Sequence, residues 1–168
     1  CDVGFNKNWF FSDPWMFFVK PFKLALDGSE IPQKYQDRTV LMWHRDGRRR
    51  RVQGVWEGLY YVVQTEKPGD FYFRIDSVAP SLSGGYRDSI SLNANSKVTY
   101  RIGDNLSGVK SYNAWIDGEW VLMTYDPRSR KLRFKMNERI VQGKWHNWRI
   151  ELVDACGNRV EDEFVFFY

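Results

Sequence analysis

Turn signals punctuate this chain about every ten residues, and no other feature limits its fold as much. Asp46-Gly47, Glu57-Gly58, Asp117-Gly118, Asp126-Pro127 and Gly157-Asn158 separate short runs rich in Val, Ile, Tyr, Phe and Trp. Intervals of that length hold strands, not helices of several turns. Arg139 to Trp148 comes nearest to helical spacing, and Gly143 interrupts it. The chain is therefore expected to be all-β.

In the second half, the runs Ser89 to Leu92, Val98 to Ile102, Val109 to Ile116, Glu119 to Tyr125, Lys131 to Met136, Asn147 to Val153 and Arg159 to Phe167 read as strands. That is the strand count of an immunoglobulin-like sandwich. Asp117-Gly118 is a two-residue hairpin turn of the type I′ kind. It puts Ile116 opposite Glu119, Trp115 opposite Trp120 and Asn113 opposite Leu122. The first half offers Phe5 to Phe11, Trp15 to Leu26, Thr39 to Arg45, Arg51 to Trp56, Leu59 to Thr65 and Gly69 to Ile75, with a loop around Pro32. Between the halves, Pro80 cannot donate to a ladder and holds the preceding residue extended. This predicts two tandem β-sandwich domains, residues 1–77 and 78–168, the second immunoglobulin-like or fibronectin type III-like.

Composition narrows the function. Two His and two Cys leave little for a metal centre or a His-based triad, and the net charge of +4 divides evenly between the halves rather than forming a basic arm. Nucleic acid is therefore not an expected partner. No apolar run reaches the ~20 residues of a transmembrane segment. Cys1 reads as a cut end, as the lipidated first residue of a mature lipoprotein (a lipid anchor), or as a disulfide partner of Cys156. No secretory leader precedes it, so an export signal is expected to have been removed.

Asp76-x-x-x-Pro80, Asp104-x-x-Ser107-Gly108 and Asp154-x-x-Gly157-Asn158 resemble the signature of bacterial Ig-like and fibronectin type III-like repeats. Gly108-Val-Lys-Ser-Tyr112, Ile116-Asp-Gly-x-Trp120 and Leu122-Met-x-Tyr-Asp126 are similar, more narrowly, to the C-terminal accessory region of Bacteroidetes lysostaphin-like murein metallopeptidases. The similarity is strongest over residues 71–168. It implies a cell-envelope protein, periplasmic or at the cell surface, but transfers no catalysis. Such peptidases hold zinc through a histidine, an aspartate and a His-x-His pair, whereas His44 and His146 stand alone here.

Four groups of residues invite a functional reading. Trp115, Trp120 and Leu122 fall on the outer face of their hairpin, where indoles stack on sugar rings or anchor a protein; the alternative is that a loop or the first domain covers them. Arg48, Arg49, Arg50 and Arg51 follow a hairpin turn and suit an anionic surface, or else a charged edge that blocks strand-to-strand association. Asp104, Asn105, Asp154 and Asn158 belong to turns expected at one end of the second sandwich. Their oxygens suit calcium, and equally suit Asx turns that use no ion. The aromatic segment Trp9, Phe10, Phe11, Trp15, Phe17 and Phe18 reads as core, with a cleft lining as the alternative. Glu161, Asp162 and Glu163 read as surface acids.

The expectation is a non-catalytic binding or positioning module, accessory to a peptidoglycan peptidase, whose partner is peptidoglycan, another glycan or an envelope protein. A spacer without a ligand and a small hydrolase are the alternatives.

Overall fold

The computed structural model describes residues 4–11, 20–137 and 139–168. The chain is nearly all β, in antiparallel sheets packed on one another. It divides into two compact units, Cys1–Ser77 and Val78–Tyr168.

The first unit contains β1 (Gly4–Phe11), β2 (Phe22–Asp27), a one-turn helix α1 (Gln33–Gln36), β3 (Thr39–Arg45), β4 (Arg48–Val52), β5 (Val55–Glu57), β6 (Tyr60–Thr65) and β7 (Gly69–Ile75). One sheet has the order β1-β7-β3-β4 and the other β2-β6-β5. In β7 every second residue is buried, from Gly69 to Ile75. Strand geometry sends alternate side chains to opposite faces, so Phe71 and Phe73 go inward together. They meet Leu41 and Trp43 of β3, Leu24 and Leu26 of β2, and Tyr61 and Val63 of β6. Trp9 packs edge-on against Phe73, with ring centroids 5.2 Å apart. Trp15, Phe17 and Phe18 lie outside the described residues.

The second unit contains β8 (Ser81–Gly84), β9 (Ile90–Ser91), β10 (Lys97–Gly103), β11 (Val109–Ile116), β12 (Glu119–Val121), β13 (Thr124–Asp126), β14 (Lys131–Lys135), β15 (Trp145–Asp154) and β16 (Arg159–Phe167). Its sheets run β13-β14-β10-β8 and β12-β11-β15-β16-β9, antiparallel except where β9 meets β16. The core draws on both: Val98, Tyr100, Leu132 and Phe134 from the first sheet, Trp148, Ile150, Leu152, Phe164 and Phe166 from the second.

Two expected strands are each divided. Arg51 to Trp56 becomes the end of β4 and the start of β5, which lie in different sheets. The chain crosses at Gly54, whose backbone approaches the Val62 carbonyl so closely that a Cβ would overlap it. Glu119 to Tyr125 likewise becomes β12 and β13, again in different sheets. Met123 plugs the core at this crossing while Leu122 projects outward, 70% exposed. Side-chain alternation continues through both crossings, although the backbone has changed ladders. The loop expected around Pro32 contains α1, and β8 is a strand without a counterpart among the expected ones.

Candidate binding site

The β11–β12 hairpin turns on Asp117 and Gly118, both at positive φ (52° and 84°). That is the backbone a type I′ turn requires, and it suits the strand twist. Trp115 pairs with Trp120 and Ile116 with Glu119. β12 ends at Val121, so Leu122 leaves the ladder instead of facing Asn113. Trp120 is 56% exposed, and its Nε1–H donates to Asn113 Oδ1 at 3.2 Å, which fixes the indole plane. Trp115 is half-buried beneath Arg149, whose guanidinium carbon lies 5.3 Å from the ring centroid. Arg149 in turn reaches Glu161 at 3.1 Å and Glu163 at 3.4 Å. The two indoles thus differ: Trp120 is open, and Trp115 carries a cation held by two carboxylates.

Trp120 and Leu122 border a cleft of about 650 Å³, lined also by Arg133, Lys135, Arg139 and Lys144. His146 and Asp117 form part of its wall. His146 is buried, with Nδ1 2.7 Å from Asp117 Oδ2 and Nε2 2.8 Å from the Val141 carbonyl. Both ring nitrogens thus have a hydrogen-bonding partner within the wall. Partial burial of Asp117 acts to raise its pKa. The Asn147 amide and His146 outweigh it together and hold the carboxyl below the usual carboxylate range.

A carboxyl held low in the folded state adds stability above its unfolded pKa. That stability is lost as pH falls through the folded value. Asp117→Asn keeps a residue that tolerates the turn. It is expected to lower stability at pH 7 by about 1 kcal/mol or less, because the 39% exposed carboxylate is screened by solvent. Urea unfolding at neutral pH and near pH 3 should show the gap between the two proteins closing on acidification. A constant gap would contradict the role given to this carboxylate.

Asp104 and Asp154 stand in neighbouring turns, joined by the Ala155 N–H donating to the Gly108 carbonyl at 3.0 Å. Their carboxylate oxygens come within 4.8 Å of one another. Both carboxylates accept local N–H groups: Asp104 Oδ2 from Leu106 and Gly108, Asp154 Oδ1 from Cys156 and Asn158, and Asp154 Oδ2 from Asn158 Nδ2. This is Asx-turn chemistry. Asn105 is exposed, and Asn158 is spent on Asp154. Cys156 is half-buried in the same turn, and Cys1 lies outside the described residues.

The four arginines occupy β4, the edge strand of its sheet, and all are exposed. Register places Arg48 and Arg50 opposite Arg45 and Trp43, and Arg49 and Arg51 opposite His44 and Met42. Alternation therefore sends two to each face, and the densest charge run of the sequence is dispersed. The acidic triplet is dispersed in the same way. Glu161 and Glu163 face Arg149, while Asp162 shares the inner side of β16 and accepts the Tyr100 hydroxyl at 2.6 Å. Burial first, and then the Asp162 carboxylate, push the Tyr100 phenol well above its ordinary pKa, so it stays protonated.

Sequence reasoning does not single out Arg133, Lys135, Arg139 and Lys144. The alternating Lys131-x-Arg133-x-Lys135 is the signal that points to the first two. In comparison with known proteins, no family model and no curated sequence matches this chain.

Proposed function

We propose that the chain is a non-catalytic binding and positioning module of a bacterial cell-envelope protein. In this reading the second unit is an Ig-like or fibronectin type III-like domain that accompanies a peptidoglycan peptidase and holds it against the wall. One observation carries the proposal: Trp120, on a hairpin whose turn and register are fixed, and Leu122, just beyond it, stand exposed beside a cleft. A flat, pre-oriented indole next to a groove offers contact area at low entropic cost, as sugar-stacking and anchor residues do. The chemistry of Asp117 in the cleft wall supports a non-catalytic role for that carboxylate. Asp117 is committed to His146 and to the Asn147 amide, and its pKa moves away from the range a general acid needs at neutral pH.

Co-sedimentation with isolated sacculi tests this. The wild-type chain should bind saturably, and Trp120→Ala/Leu122→Ala should weaken binding by about tenfold or more, as expected when central anchors are lost. Both side chains are exposed, so the variant should melt close to wild type. Absence of wild-type binding, or equal binding by both proteins, would replace this reading with that of a spacer.

A further inference from the structure

The outer face of the β13-β14-β10-β8 sheet is a basic platform. Lys97, Thr99 and Arg101 alternate outward on β10, while Val98, Tyr100 and Ile102 go inward. On β14, Lys131, Arg133 and Lys135 do the same around Leu132 and Phe134. The ladder places Lys97 opposite Lys135, Thr99 opposite Arg133 and Arg101 opposite Lys131. Two of three outward cross-strand pairs thus set cation against cation, an arrangement that costs stability. Asp126 on β13 offsets it in part, lying 3.7 Å from Arg133 and opposite Lys131. Among the described residues, none of Lys97, Arg101, Lys131 and Lys135 makes an ion pair. The other sheet of the unit is arranged differently, with Arg149 and Arg159 paired to Glu161, Glu163 and Glu151. Among the described residues, positive charge is therefore concentrated on this face of the unit. The face is also continuous with the cleft, since Arg133 and Lys135 line both.

We propose that this face binds an anionic sugar chain, one bearing carboxylates along its length, which runs from the Trp120 cleft across β14 and β10. The cations supply charge complementarity to a polyanion. Successive outward residues stand about 6–7 Å apart along a strand and about 5 Å apart across strands, which suits a repeating anion better than a single one. The exposed indole at the cleft margin favours a sugar over an acidic peptide, because a pyranose ring presents a flat face for stacking and a carboxylate side chain does not. The inference rests on the binding reading above and adds the ligand's chemical class.

The probe is a uronic-acid hexasaccharide, measured by titration calorimetry beside a neutral hexasaccharide, hexaglutamate and vesicles containing an anionic phospholipid. Wild type is expected to bind the uronate about tenfold or more tighter than the neutral sugar, with affinity falling as salt rises. Lys97→Gln/Arg101→Gln/Lys135→Gln should reduce uronate binding to the level of the neutral sugar. It should melt no lower than wild type, because two like-charge pairs are relieved. Equal affinity for the neutral and anionic sugars, or no uronate binding, would overturn the proposal. Hexaglutamate or vesicles bound as tightly as the uronate would overturn the assignment to sugar. If the triple variant sediments with sacculi as strongly as wild type while Trp120→Ala/Leu122→Ala does not, the wall-binding reading stands and the charged-ligand inference fails. Uronate binding without sedimentation would do the opposite, upholding the anionic-sugar site and removing the wall as its target.

Discussion

Trp148→Ala is expected to destabilise the second unit by about 3–5 kcal/mol, the range for truncating a buried aromatic without collapse of the site. Trp148 is 1% exposed and lies at the centre of the sandwich. Its ring stacks on Phe164 at 5.8 Å and on Tyr100 at 6.4 Å, and meets Phe134 tilted at 5.5 Å. These partners come from both sheets, so the cavity would open between layers tied together by backbone ladders that cannot close around it. A domain of this size has about 5–15 kcal/mol of stability in total, so the loss is about a fifth of it or more. Urea unfolding read by far-ultraviolet circular dichroism should show the midpoint drop with the slope unchanged. A loss under about 1 kcal/mol would mean that the packing described around this indole is wrong.

Phe73→Ala should have a comparable effect, about 3–5 kcal/mol, confined to the first unit. Phe73 is 2% exposed and is enclosed by Trp9, Trp56 and Tyr61, at centroid distances of 5.2, 5.9 and 5.7 Å. Two of these contacts are edge-to-face, the geometry the ring quadrupole favours. Trp56 is also held by its Nε1–H to the Gln36 carbonyl, and the Tyr61 hydroxyl accepts the Gly54 N–H. The cage is thus fixed from outside and cannot follow a shrinking side chain. Phe73→Leu, which keeps most of the volume, should cost about half as much or less. Urea titrations of the two variants, read by near-ultraviolet aromatic signals, check the pair. Equal costs for Leu and Ala would contradict a packed cage.

The contrast between charge runs shows how much of the site is legible in the sequence. Arg48 to Arg51 draws the eye because it is contiguous, yet a period of two divides contiguous residues between faces. Lys97, Arg101, Lys131, Arg133 and Lys135 are spread over two strands, and only the β10–β14 register gathers them. Local pattern reports which side chains share a face of one strand; register between distant strands is a tertiary property. For the same reason the Asp117-Gly118 hairpin is readable in detail, with Trp115 opposite Trp120, because its register follows from its turn. The crossings at Gly54 and at Leu122-Met123 are not readable. Alternation continues through each; Gly54 signals a close backbone approach at the first, but not that the ladder changes. β8 escapes a sequence reading because Ser81-Leu-Ser-Gly84 has little β-branched or aromatic character; its place comes from pairing with β10. Asp162 reads as a surface acid because its partner, the Tyr100 hydroxyl, is distant in sequence.

Nuclear magnetic resonance tests most directly whether the Trp120 hairpin is, as proposed, a contact surface for a wall glycan. The chain has eight tryptophans, so its indole N–H region holds few resonances. Trp120 can be assigned by a Trp120→Phe spectrum. On titration with soluble glycan fragments released from sacculi, the Trp120 indole resonance should shift progressively and saturate, together with amides of Leu122, Lys135 and Lys144. The buried Trp148 and Trp43 indoles should stay in place. A spectrum that does not change, or shifts confined to the first unit, would contradict glycan contact at Trp120.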